Sequence, residues 1–143
     1  MSAGMGWIYK DDTFYLDQSD GVLKAKYLLV LAALPRHDLV VRLLTSRHPE
    51  LRPEHPACFH GDPYPGFYLG VLGGPLTARS WLDLRFLDDF DPKEFDRKLQ
   101  IERLREVMPL PAALLRSALL CAASADDTTV QQERRLRDAL TIV

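Results

Sequence analysis

The chain has 143 residues, of which 47% are hydrophobic and 27% charged, and its formal net charge is −2. This composition excludes disordered, collagen-like and disulfide-rich proteins, and a chain of this length can bury a core without a structural metal. Its longest mostly apolar stretch, Tyr27 to Leu34, has eight residues, whereas a membrane-spanning helix needs roughly 20. We expect one domain covering residues 1–143 with no membrane segment, and a cytoplasmic location because no secretory signal is readable.

The first half of the chain has the patterns of β-strands. Thr13 to Leu16 is rich in β-branched and aromatic residues, and the turn-forming cluster Asp17 to Gly21 follows it. The apolar run Lys26 to Leu31 is suited to a central strand, and a second run covers Leu39 to Leu44. We expect these two runs to pair.

A long loop is predicted between residues 47 and 66. This segment contains five prolines and two glycines, too many for a helix or a strand. Loops of this length within a domain are usually functional or mobile. Two further strands are predicted after it, at Phe67 to Leu72 and Ser80 to Leu84, which gives a sheet of about five strands.

Helical patterns begin after residue 90. Asp91 is a capping carboxylate, Pro92 occupies the first helical position and Glu94 lies three residues after the cap, a combination typical of a helix start. A second, largely buried helix is predicted over residues 112–123, and a third begins near Thr128. The chain is therefore predicted to be α+β, with a small bent sheet or barrel over about residues 12–86 and C-terminal helices over about residues 91–141.

Positive charge is concentrated in the middle of the chain. Residues 24–60 carry six lysines and arginines against three acidic residues, and all four histidines lie there, although the whole chain is acidic. A basic segment within an acidic protein is typical of a surface that meets an anion.

Two strand ends in this segment carry polar groups suited to a phosphate. Lys24 and Lys26 open the first apolar strand, whereas Thr45, Ser46 and Arg47 close the next one. If the strands are antiparallel, these ends meet at one rim, with ammonium, hydroxyl and guanidinium groups together. Such a rim can stabilise a phosphodiester while the 2'-hydroxyl of RNA attacks it, without a metal.

These residues define the predicted site. Lys26, Thr45 and Ser46 are the candidate catalytic residues. Lys24, Arg42, Arg47 and His48 are the candidate RNA-binding residues. Phe59, Tyr64 and Phe67, near the long loop, are candidates for stacking on unpaired bases, although they also suit a local core.

The two strand-end motifs resemble those of the MazF/PemK family of toxins from toxin–antitoxin systems. The similar elements are the strand Thr-Phe-Tyr-Leu-Asp, the run from Lys26 to Leu31, and the strand from Val41 that ends in Leu-Thr-Ser. Lys26 stands where the family has arginine. The resemblance covers about residues 12–125 and implies a small SH3-like β-barrel with C-terminal helices, usually dimeric. It further implies a single-strand-specific endoribonuclease whose partners are RNA and an antitoxin or another protein.

Two other interpretations remain open. Cys58 and Cys121 suit reduced thiols, and His55, Cys58 and His60, with His48 upstream, are of the ligand types that zinc prefers. Their spacing is irregular and no second cysteine pair completes a site, so we expect neither a metal nor a cofactor in the reaction. The alternative function is a catalytically inactive SH3-like interaction module that binds a protein through the long loop and the acidic strip from Asp83 to Asp96.

Overall fold

Among residues 4–47 and 49–143, which the computed structural model describes, seven strands form one antiparallel sheet. In chain order the strands are β1 (Trp7–Leu16), β2 (Leu23–Ala32), β3 (Val40–Thr45), β4 (Cys58–Phe59), β5 (Gly66–Gly70), β6 (Ser80–Asp83) and β7 (Leu104–Pro109). Their spatial order is β4-β5-β6-β3-β2-β1-β7. The predicted pairing of the two apolar runs is confirmed, since β2 and β3 are antiparallel neighbours.

The predicted SH3-like barrel of about five strands is wrong, because the sheet is open. β4 and β7 are the two ends of the strand order, whereas a barrel requires its end strands to pair. A barrel also encloses one face, but here each face has its own apolar cluster. Leu29 and Leu31 belong to one cluster, and Leu28 and Val30 belong to the other. From Leu28 to Ala32 both faces of β2 are thus buried, which explains the continuous apolar run there.

Three helices, α1 (Pro92–Gln100), α2 (Ala112–Ala123) and α3 (Val130–Leu140), complete the described α+β fold. Leu119 of α2 and Leu136 of α3 join the first cluster, and Phe95 of α1 joins the second. The predicted start of α1 is confirmed, because the Asp91 side chain accepts a hydrogen bond from the backbone N–H of Lys93. α3 begins slightly later than predicted.

The start of α3 is displaced because two neighbouring threonines have different partners. Thr129 and Gln132 form the capping box. The hydroxyl of Thr128 instead donates to the carbonyl of Ala122 at the end of α2, at 2.7 Å. The sequence pattern alone does not distinguish these two threonines.

Cys58 in β4 and Cys121 in α2 are joined by a disulfide, with a Cα–Cα distance of 5.5 Å. This differs from the reduced thiols expected from the sequence. It ties the loop that precedes β5 to α2.

Within the described chain, no helix combines the length and the apolar character that crossing a bilayer demands.

Candidate functional site

An open pocket of about 420 Å³ lies beside the ends of β2, β3 and β6. We call it the rim pocket. Its lining includes the polar side chains of Lys26, Thr45, Arg47, Tyr64, Asp83 and Arg85. It therefore brings together three of the predicted catalytic and RNA-binding residues, namely Lys26, Thr45 and Arg47, with the stacking candidate Tyr64.

Strand register explains why Lys26 and Thr45 meet. Leu28 of β2 is paired with Leu43 of β3 in an antiparallel ladder, so continuing this register by two residues sets Lys26 opposite Thr45. Side chains two residues apart project from the same face of a sheet. Leu43 is in turn paired with Asp83 of β6, which brings a third strand to the pocket.

Arg85 is the cation that Asp83 holds in place. Its Nη2 lies 2.7 Å from Oδ2 of Asp83 and its Nε lies 3.1 Å from Oδ1. The guanidinium carbon also lies 3.8 Å from the ring centroid of Tyr64. A two-pronged ion pair of this kind fixes the orientation of the guanidinium. The Arg85 side chain nevertheless remains 56% exposed, so it can still meet an anion.

The Thr45 hydroxyl can donate its proton to a ligand in the rim pocket. Its Oγ1 accepts a hydrogen bond from the backbone N–H of Arg47, at 3.2 Å. Because the oxygen acts as the acceptor in this contact, the hydroxyl proton can be donated to a bound oxyanion. The carbonyl of Arg47 accepts a hydrogen bond from Nε of Arg52, at 2.9 Å, which ties the beginning of the long loop to a buried arginine.

The electrostatics of the rim pocket favour an anion. Partial burial lowers the pKa of Lys26, the nearby Arg47 and Arg85 lower it further, and Asp83 partly opposes them. Three cations thus face one carboxylate, which is already paired with Arg85. A bound phosphate would relieve this repulsion, and a lysine with a lowered pKa is better suited to proton transfer near neutral pH.

We expect Lys26→Met to raise the free energy of unfolding at pH 7 by about 0.2–1 kcal/mol, the usual size of exposed charge interactions. The lowered pKa means that the folded protein disfavours the charged lysine. The folded protein is destabilised by the full penalty at pH values below the pKa of Lys26 in the folded state. The penalty disappears as the pH rises towards 10.5, the ordinary pKa of a lysine. Urea unfolding of both proteins at several pH values measures the difference, which should shrink in alkaline solution. A variant less stable than the wild type at pH 7 would contradict this account.

Two of the predicted residues lie away from the rim pocket. Nζ of Lys24 pairs with Asp20 in the preceding turn, at 2.9 Å. Ser46 does not line the rim pocket but lines an adjacent cavity of about 160 Å³ with Tyr27 and Ser80. Thr45 lines both cavities, whereas Ser46 lines only the second one.

Arg42 is a buried structural residue, only 1% exposed. Its guanidinium donates to the carbonyls of Val41 and Leu87, at 2.8 and 3.3 Å, and to Oε1 of Gln132, at 3.0 Å. Burial is the main reason that its pKa is lowered. This side chain connects the sheet to α3 and cannot reach RNA in solution.

The remaining predicted residues have different outcomes. His48 lies outside the described residues. Phe67 is 4% exposed and belongs to the core. The ring of Tyr64 already contacts the guanidinium groups of Arg52 and Arg85, at 3.9 and 3.8 Å, which leaves it little surface for a nucleobase. Phe59 is half-buried in β4.

Sequence reasoning missed Arg85 and placed Asp83 in an acidic strip. The available signal was their spacing of two residues at the end of a predicted strand, which puts both on one face. Other acids of that strip are also paired, Asp89 with Arg135 at 2.7 Å and Glu94 with Arg97 at 2.5 Å. Fewer acidic groups are therefore free to bind a protein partner.

Comparison with known proteins yields no relative. No family model, no curated protein and no solved structure matches the chain. The resemblance to MazF/PemK toxins thus stays a prediction, carried by the residues quoted for it.

Proposed function

We propose that this protein is an endoribonuclease that binds single-stranded RNA in the rim pocket and cleaves it by attack of the 2'-hydroxyl on the adjacent phosphate. The observation that carries the proposal is the convergence of Lys26, Arg47, Arg85 and the Thr45 hydroxyl on one open pocket. Its one lining carboxylate, that of Asp83, is occupied by Arg85.

Arg47, Arg85 and Thr45 bind the phosphate in this proposal. Guanidinium groups match the geometry of phosphate oxygens and stay charged at any physiological pH. Asp83 and the Tyr64 ring hold Arg85 before the substrate arrives, so little orientation is lost on binding. Thr45 supplies one further hydrogen bond to a non-bridging oxygen.

Lys26 transfers the proton in this proposal. In its neutral form the amine accepts the proton of the 2'-hydroxyl as the 2'-oxygen bonds to phosphorus. The bond from phosphorus to the 5'-oxygen breaks, and that oxygen takes a proton from solvent in the open pocket. Lys26 then returns its proton to solvent. The products are a 2',3'-cyclic phosphate and a 5'-hydroxyl, and no water is consumed.

The residues of the pocket favour a metal-free reaction. A magnesium ion that acts on phosphate prefers several oxygen ligands, carboxylates among them. Asp83 supplies the pocket's one lining carboxylate, and both of its oxygens contact Arg85. The cations of the pocket stabilise the developing charge in place of a metal.

The proposal also assigns the enzyme a cytoplasmic location and a protein partner. A cytoplasmic location would give the enzyme access to messenger RNA. As the resemblance to MazF/PemK toxins implies, the protein would act as a homodimeric toxin that an antitoxin or another protein partner restrains.

The test is incubation of the purified protein with a long single-stranded RNA in EDTA. We expect fragments with 2',3'-cyclic phosphate and 5'-hydroxyl ends. Single-stranded DNA of the same sequence should remain intact, and so should an RNA that carries one 2'-deoxy nucleotide at the cleaved position. RNA left intact by the folded protein would refute the proposal, as would fragments with 5'-phosphate ends.

A further inference from the structure

Three groups that bind soft metals converge on the other side of the sheet from the rim pocket. Nε2 of His60 lies 3.4 Å from Sγ of Cys58 and 3.5 Å from Sγ of Cys121. All three ligand atoms lie within 4.8 Å of one another. Cys121 also belongs to the apolar cluster that α2 and α3 form against the sheet, so this site is separate from the proposed RNA site.

Local structure explains how the three groups meet. Cys58 is in β4, which pairs with β5, and His60 follows two residues later on the same side. Cys121 comes from the last turns of α2. A disulfide alone would need no imidazole, yet His60 is directed at both sulfur atoms. The convergence of three ligands, two thiols and one imidazole, from two separate parts of the chain requires a further explanation.

We propose that the reduced form of this protein binds one Zn²⁺ ion through Cys58, His60 and Cys121. A thiol or phosphine reductant first opens the disulfide, and two electrons and two protons convert it to two thiols. Zinc then binds the two sulfurs and Nε2 of His60, and the two thiol protons are released to solvent. The oxidised protein has no free thiolate and does not bind the ion.

The distances agree with tetrahedral zinc coordination. With Zn–S bonds of about 2.3 Å and a Zn–N bond of about 2.0–2.1 Å, the sulfur–nitrogen edge of the tetrahedron is about 3.5 Å. The imidazole therefore already has the required position relative to each sulfur. Once the disulfide is opened, the thiolates must move to about 3.8 Å apart, the sulfur–sulfur edge of the same tetrahedron.

The surroundings determine the kind of metal site. Cys121 is 2% exposed, whereas His60 is at the surface and Cys58 is half-buried. An adjoining cavity of about 560 Å³ is lined mainly by apolar side chains, including Phe67 and Leu114. Three protein ligands with an open fourth position leave room for a water molecule or a small ligand on the zinc.

The experiment is a titration of the full chain with Zn²⁺ after reduction by a phosphine, with competition from a colorimetric chelator. We expect one zinc per chain and none in the oxidised protein. Co²⁺ in place of zinc should show thiolate-to-metal charge-transfer absorption, which reports two sulfur ligands. His60→Ala should weaken zinc binding more than about tenfold, since even the loss of an outer-shell partner costs roughly 10- to 100-fold.

His55→Ala is the matched control, because His55 is an exposed histidine of the same loop that is not part of the cluster. It should bind zinc as the wild type does. Both histidine variants leave the core untouched, so circular dichroism should show the wild-type fold. Unchanged zinc affinity in His60→Ala, equal loss in the two variants, or less than one zinc per reduced chain would each overturn the proposal.

Discussion

Replacing Lys26 by alanine is expected to slow RNA cleavage by about 10²- to 10⁴-fold, the usual contribution of a general acid–base group. The lowered pKa of Lys26 arises from partial burial and from Arg47 and Arg85, so the variant loses a proton acceptor and one of the pocket's cations. The rate is measured at saturating RNA in EDTA, which separates the chemical step from weaker binding. A loss of less than tenfold would remove Lys26 from the reaction.

Lys24→Ala is the matched control for this experiment. Lys24 is two residues away on the same strand but pairs with Asp20 and does not line the rim pocket. It should retain the wild-type rate within about twofold. Because both variants are purified in the same way, a contaminating ribonuclease would leave equal activity in the two preparations.

Lys26→Arg distinguishes proton transfer from charge alone. Arginine keeps the positive charge but does not lose its proton in a protein. If Lys26 transfers the proton, this variant should bind RNA well and cleave it nearly as slowly as Lys26→Ala. Wild-type activity in Lys26→Arg would restrict the lysine to phosphate binding.

Arg42→Ala is expected to lower the free energy of unfolding by about 3 kcal/mol. The substitution removes three hydrogen bonds from a charged group, each worth about 1.5–3 kcal/mol before relaxation. The carbonyl of Leu87 and Oε1 of Gln132 keep a second donor each, so the loss is smaller than the sum of the three. The substitution also leaves a cavity between the sheet and α3. Urea unfolding followed by circular dichroism measures the change.

Arg134→Ala, on the helix α3 that Arg42 contacts through Gln132, is the control for this loss of stability. Arg134 is exposed, so its removal should change the free energy of unfolding by less than about 0.5 kcal/mol. Arg42→Met refills much of the space without restoring the hydrogen bonds and should lie between the wild type and Arg42→Ala. Equal stabilities of Arg42→Ala and Arg134→Ala would show that the buried contacts contribute nothing.

Elements with strong local signals could be predicted from the sequence. The cap at Asp91 and the apolar runs of β2 and β3 depend on neighbouring residues alone. β7 was missed because it is an edge strand with one fully buried residue, Leu104, followed by the exposed Arg105 and Glu106. Its pairing with β1 joins residues about 100 positions apart, and so closure of the sheet into a barrel could not be decided from local patterns.

The site could be predicted only in part, for a related reason. Antiparallel strand ends bring Lys26 and Thr45 together, and the sequence order already suggests this. The face to which each side chain points depends on the register of the strands. Arg42 is buried, and Ser46 lines a cavity next to the rim pocket. The disulfide joins cysteines 63 residues apart, a distance at which sequence gives no signal.

The position of β2 also sets how the protein opens. Its second half, from Leu28 to Ala32, lies between β1 and β3 and is buried on both faces. The amide hydrogens of these residues should therefore exchange with solvent only when the whole molecule unfolds. β4 is a two-residue strand at the outer edge and should exchange far sooner. Lys26, to which we assign proton transfer, thus lies two residues before the segment that should exchange most slowly, whereas β4 at the edge of the sheet should open without disturbing it.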